Sequence, residues 1–192
     1  SLFVGVSEGC ILLVKDLYIS EATKKILLEL GYKSLYPPQE DAVKAGALNN
    51  LNLVLAIPTA SGKTLIAELC MVKSVLNGGK AIYLVPLRAL ASEKFEEFKK
   101  WEGLGIRVGL STGDFDSSGS ELGKYDILVC TNEKADSLLR HHADWISKIT
   151  VIIADEIHLI NSSDRGPTLE VVIARLRQVN PTAQIIALSA TI

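Results

Sequence analysis

Cysteine is scarce in this 192-residue sequence, positive charge is not in excess, and no long apolar run is present. Each shortage closes off a class of protein. The three cysteines, Cys10, Cys70 and Cys130, are odd in number and far apart. They offer neither a disulfide framework nor the close pairs of a zinc site, and they fit a reducing, cytoplasmic compartment as buried structural thiols. Lys and Arg number 20 against 22 Asp and Glu, a formal net charge of −2. A nucleic-acid binder held by bulk charge alone is thereby excluded, while local basic clusters can still grip phosphates. No apolar run approaches the ~20 residues of a bilayer-spanning helix, so no membrane partner is expected. Residues 1–14 are apolar but lack the basic start and cleavage site of a secretory signal. They read as an N-terminal extension, either an extra strand or a cloning remnant. Repeats, low-complexity tracts and linkers are absent, which leaves residues 15–192 as one domain.

What is present is a chain that is 48% hydrophobic and long enough for a real core. Short apolar runs alternate with helical patterns. Helices are expected over Asp16–Leu30, from the Tyr36-Pro-Pro-Gln39 turn to about Ala47, and over Lys63–Leu76, Ala91–Trp101, Glu133–His141 and Thr168–Val179. Strands are expected over Leu51–Ala56, Ala81–Val85, Arg107–Leu110, Asp126–Cys130, Val151–Ala154 and Gln184–Leu188. Uninterrupted apolar strands between helices imply an α/β fold: a mainly parallel sheet with helices on both faces.

The organising stretch is Ile57-Pro-Thr-Ala-Ser-Gly-Lys-Thr64, read as following a buried strand. It fits a phosphate-binding P-loop, although the general pattern opens with a small residue where this chain has Ile57. Small residues from Ala60 through Ser61 and Gly62 let backbone N–H groups wrap a phosphate. The helix that follows points its positive end at the anion. Lys63 then reaches the β- and γ-phosphates of ATP, and the Thr64 hydroxyl holds Mg²⁺. An ordinary strand–turn–helix junction is the alternative for this stretch alone.

A second stretch weighs against that alternative. The apolar run Val151–Ala154 delivers Asp155-Glu-Ile-His158 at a strand's carboxyl end, where open α/β sheets bind ligands. Asp155 is expected to hold Mg²⁺ through its water shell, Glu156 to polarise the attacking water, and His158 to couple the γ-phosphate state to other parts. The Gln39 amide can donate to N7 and accept from N6 of adenine. Ser189 and Thr191, at the end of the last strand, can link the acids to a neighbouring domain.

With Gln39, Pro58–Thr64, Asp155–His158 and Ser189–Thr191 in this order, the chain resembles the first RecA-like domain of superfamily 2 helicases. Val85-Pro-Leu-Arg-Ala-Leu90, Ser111-Thr-Gly-Asp114 and Glu133-Lys-Ala-Asp-Ser-Leu138 narrow the resemblance to the Ski-like branch, nearest the archaeal fork-repair DNA helicases of the Hjm type. That branch tolerates an aliphatic residue at Ile57. The resemblance implies a P-loop RecA-like lobe of an ATP-dependent helicase, with 3′→5′ polarity and action on stalled or branched forks in repair. It assigns catalytic roles to Lys63, Asp155 and Glu156, and ATP binding to Gln39, Pro58, Thr59, Ala60, Ser61, Gly62, Lys63, Thr64 and His158. It places single-stranded or forked DNA on Arg88, Thr112, Gly113, Thr131, Glu133 and Lys134, through backbone and phosphate contacts that carry no base information. RNA remains an alternative substrate, and an ATP-gated clamp an alternative device. Other expected partners are a second RecA-like lobe of the same parent chain, which this chain ends before, and replication or repair proteins. The lobe alone is expected to be nearly inactive. Lys94, Lys99 and Lys100 with Glu93, Glu96 and Glu97 read as a solvated helix face.

Overall fold

The computed structural model describes residues 11–57, 60–113, 119–157 and 169–190. Six strands form one sheet: β1 (Leu53–Ala56), β2 (Lys80–Val85), β3 (Val108–Ser111), β4 (Ile127–Thr131), β5 (Ile149–Ala154) and β6 (Gln184–Ser189). Their order is β1-β6-β5-β2-β4-β3, and all five pairings are parallel. Parallel neighbours need crossover connections. The helices are α1 (Glu21–Glu29), α2 (Pro37–Lys44), α3 (Ala60–Leu76), α4 (Arg88–Phe98), α5 (Asn132–Arg140) and α6 (Leu169–Val179).

Side-chain alternation along the central strand β2 builds the two halves of the interior. Ala81, Tyr83 and Val85 join a core with Leu65–Val72 of α3 and with Ala91, Phe98 and Trp101. Ile82 and Leu84 face the other way, toward Ala135 and Leu138 of α5 and Val172 and Leu176 of α6. The Tyr83 and Phe98 rings meet edge to face, centroids 4.8 Å apart. Covered on both faces, β2 is buried at every position, which is why it reads as a continuous apolar run.

Two expectations need correction. Helical spacing starts at Asp16, but the chain makes a 3-10 turn at Val14–Asp16 and α1 begins only at Glu21. Ser20 sets that start: its hydroxyl oxygen accepts the Thr23 N–H at 3.1 Å, capping the first turn. β1, expected to be buried, lies at one edge of the sheet among the described residues. Val54 is 71% exposed there, while Leu55 turns into the core.

Candidate nucleotide site and strand-facing edge

Because all six strands run the same way, their carboxyl ends share one edge of the sheet, and Ser189, Asp155, Thr131 and Thr112 stand along it. The strand order divides them. β1, β6 and β5 carry the nucleotide candidates, and β2, β4 and β3 carry the nucleic-acid candidates. With strands ~4.8 Å apart, the two sets are adjacent.

On the nucleotide half, β1 runs into Ile57, whose N–H donates to the Ser189 carbonyl at 3.3 Å. Ser189 is buried, opposite Ala56 in the register. The backbone of Ala60, Ser61, Gly62 and Lys63 forms the first turn of α3. Pro58, Thr59, His158 and Thr191 lie outside the described residues, as do the side chains of Ala60, Ser61 and Lys63. Gln39 is 2% exposed at the start of α2. Its Nε2 donates to the Gly62 carbonyl at 3.0 Å, and its Oε1 accepts the Tyr36 N–H at 2.8 Å. The amide expected to face adenine is thus anchored to the phosphate loop itself.

Thr64 and Asp155 are buried, at 1% and 2% exposure. Asp155 Oδ2 accepts from the Tyr83 hydroxyl and Oδ1 from the Glu156 N–H at 2.8 Å. Glu156 is half-buried, with φ of 55° in the left-handed region uncommon for residues other than glycine. Strain of this kind, about 1–3 kcal/mol, concentrates at functional sites. Burial and then the Asp155 charge push the Tyr83 hydroxyl's pKa well above its ordinary value, so it stays a proton donor. A hydroxyl and a carboxylate are the hard oxygen donors that Mg²⁺ takes, and a cation already touches the hydroxyl: the Lys94 ammonium donates to Thr64 Oγ1 at 3.2 Å. The donor set fits the ion. Among the described residues no group of three or more His, Cys, Asp or Glu gathers as a metal cluster.

Lys94 and Lys100 correct the expectation of a solvated helix face. Lys94 is 8% exposed and also bonds Glu97 at 3.0 Å. Burial works against its charge, but Glu97, Asp155 and Glu93 outweigh burial and raise its pKa. Lys100 reaches Glu68, buried in α3, at 2.8 Å, and the Trp101 indole N–H donates to the same carboxylate at 3.3 Å. The Lys99–Glu96 pair, at 3.1 Å, is the expected surface contact, and Lys94–Glu97 has the expected i,i+3 spacing with its lysine turned inward. Both inward-facing groups had a sequence signal. Ala91, Lys94 and Phe98 share one helix stripe, and Glu68 interrupts the apolar stretch Leu65–Val72. Cys70 and Cys130 are buried, their thiols pushed up to about 12 by burial, as structural thiols should be.

On the other half, Arg88 is exposed at the start of α4, directly after β2. Thr112 and Gly113 follow β3, half-buried. The Thr131 hydroxyl accepts the Lys134 N–H at 3.3 Å and caps α5; Glu133 is exposed and Lys134 only 5% exposed. Asp136 of the same helix holds Arg140 at 3.0 Å and Arg175 at 3.1 Å, tying α5 to α6. No described helix is long and apolar enough to cross a membrane.

A wholly parallel sheet with a helix starting just beyond one edge strand and a buried acid two strands away is a RecA-like architecture. Comparison with known proteins makes the class specific. The sequence pattern of DEAD/DEAH box helicases matches residues 36–192, and the chain belongs to that family. It is 56% identical over 180 residues to the ATP-dependent DNA helicase Hel308 of Thermococcus kodakarensis, covering 93% of this chain and 16% of that protein. It is 53% identical over 184 residues to Hel308 of Methanocella arvoryzae, covering 93% of this chain and 25% of that one. The chain therefore spans a quarter or less of these relatives' length. Among solved structures, the DUF1998 helicase MrfA bound to DNA and AMPPNP superposes with a TM-score of 0.75 at 26% identity, over 91% of this chain and 26% of that one.

Proposed function

We propose that this chain is the ATP-binding motor lobe of an intracellular, ATP-dependent DNA helicase. The observation that carries the proposal is the burial of Thr64 and Asp155 on the side of the sheet's carboxyl edge next to the side that holds Arg88, Thr112 and Thr131. That the Hel308 relatives are DNA helicases, and that MrfA binds DNA and a nucleotide, supports it. Polarity of 3′→5′ and action on forks follow the Hjm-type resemblance.

In the proposed mechanism, Lys63 and the backbone N–H groups of the first turn of α3 hold the ATP phosphates. The Thr64 hydroxyl, and Asp155 through water, would hold Mg²⁺, which when bound would supply neutralisation of phosphate charge. Tyr83 keeps Asp155 oriented by donating to Oδ2. Glu156, next to Asp155, orients the attacking water and takes its proton. Gln39 joins adenine recognition to the phosphate loop through Gly62. Ser189, bonded by its carbonyl to Ile57, relays the state of the loop toward a second lobe. That lobe supplies the arginine that stabilises transition-state charge, a contribution of roughly a thousandfold or more in rate in related enzymes. Arg88, Thr112, Gly113, Thr131, Glu133 and Lys134 line the path of a single strand.

The test is ATP turnover by a chain carrying this lobe together with a second RecA-like lobe, with single-stranded DNA, single-stranded RNA or neither. Strong stimulation by DNA, little by RNA, and loss of turnover in Glu156→Gln are expected. Greater stimulation by RNA overturns the DNA assignment. ATP binding with no turnover on either polymer makes the protein a clamp.

A further inference from the structure

Lys94 is a buried charge at the candidate nucleotide site that the proposed mechanism does not use. Its ammonium lies between α3 and α4, donating to Thr64 Oγ1 at 3.2 Å and to Glu97 Oε2 at 3.0 Å. It stands 30 residues from Thr64 in sequence and reaches it only because the Ala91–Phe98 stripe packs α4 on the sheet beside α3. Asp155 and Glu97 both stabilise its charge. The hydroxyl oxygen it touches is the oxygen assigned to the metal. A divalent cation binds a hydroxyl at about 2.1 Å. Two cations that close to one oxygen, in a site this buried, repel strongly.

We propose that Lys94 is a built-in counter-ion that holds the Thr64 hydroxyl against divalent cations until nucleotide arrives, so that the metal is admitted with the polyphosphate and not before it. The proposal rests on the assignment of Thr64 and Asp155 to Mg²⁺. Glu97 gives the ammonium its alternative partner. The Glu97 side chain is 34% exposed and the Lys94 side chain 10%, so the pair forms the solvent side of the contact and Thr64 the buried side. The anionic phosphates compensate the charge that the site then gains; a bare metal ion brings no such compensation. Lys94 is a positioning residue here: it acts on the metal site through Thr64 and Asp155, and no reacting atom touches it.

The experiment is titration of the nucleotide-free 192-residue chain with Mn²⁺, counting free metal by electron paramagnetic resonance. Wild type, Lys94→Gln, Lys94→Met, Lys94→Arg and Lys94→Met combined with Asp155→Asn are compared, each checked for folding by circular dichroism. Wild type should bind Mn²⁺ weakly. The two neutral variants should bind about tenfold more tightly or better, since a like charge beside the site has been removed. Lys94→Arg, which keeps the charge, should stay near wild type, and Asp155→Asn should abolish the gain. A purely structural lysine would not produce that ordering by charge. Equal or weaker binding by both folded neutral variants overturns the proposal, while Asp155-dependent binding of magnesium-ATP in wild type would leave the metal assignment standing. A gain that survives Asp155→Asn places the ion elsewhere and overturns the metal assignment together with the proposal.

Discussion

Glu68 carries the largest pH consequence of any described carboxylate. Burial pushes its pKa from 4.5 up to about 7, against the pull of Lys100. An acid whose folded pKa is raised favours the fold only while protonated. Its contribution is therefore full below about pH 4.5 and is lost as pH rises through about 7. A shift of this size is worth on the order of 3 kcal/mol. In urea melts, the stability of wild type minus that of Glu68→Gln should fall by about that amount between pH 4 and pH 8. A difference independent of pH would show that the Lys100 and Trp101 bonds cancel the effect of burial and leave the Glu68 pKa unshifted by folding. At this same scale the sequence was least legible. Glu and Lys interspersed over Glu93–Lys100 read as a solvated helix, and although Lys94 shares a stripe with Ala91 and Phe98, nothing local marks Thr64 as its partner. Burial of a charge is decided by what another element brings to it.

Elements were far more legible than residues, because strand and helix periodicities are local. All six strands fall where short apolar runs lie. What failed was the exposure of β1. An apolar run of four residues looks the same whether one face or two are covered, and Val54, on the face opposite Leu55 of an edge strand, is left exposed. The start of α1 failed for a related reason: Leu17 keeps helical spacing but lies before the cap that Ser20 makes. β3 offers a test at this scale. A Cβ on Gly109 would meet the Tyr125 ring at 2.3–2.7 Å, close to the ring's attachment, where it cannot swing clear. Gly109→Ala should cost about 1–3 kcal/mol in a urea melt by displacing Tyr125 from its place beside β3 and β4. An unchanged midpoint would mean that this end of the sheet shifts freely.

Across the whole molecule, the strand order places two kinds of chemistry side by side. Strands β1, β6 and β5 lead to Ile57 and α3, Ser189 and Asp155, while β2, β4 and β3 lead to Arg88, Thr131 and Thr112. The β5–β2 pairing is the seam, and the Tyr83–Asp155 bond crosses it. Through that bond Asp155 touches the strand that leads to Arg88. Everything in that scheme depends on the carboxyl edge of β1, β6 and β5 holding a nucleotide. The most direct measurement is equilibrium binding of a fluorescent ATP analogue, with Mg²⁺, to the 192-residue chain and to its Lys63→Ala variant. Weak but saturable binding to wild type is expected, weakened roughly ten- to a hundredfold by loss of the charged phosphate contact. Equal binding by the two, or none by either folded protein, would contradict the assignment of this edge to ATP.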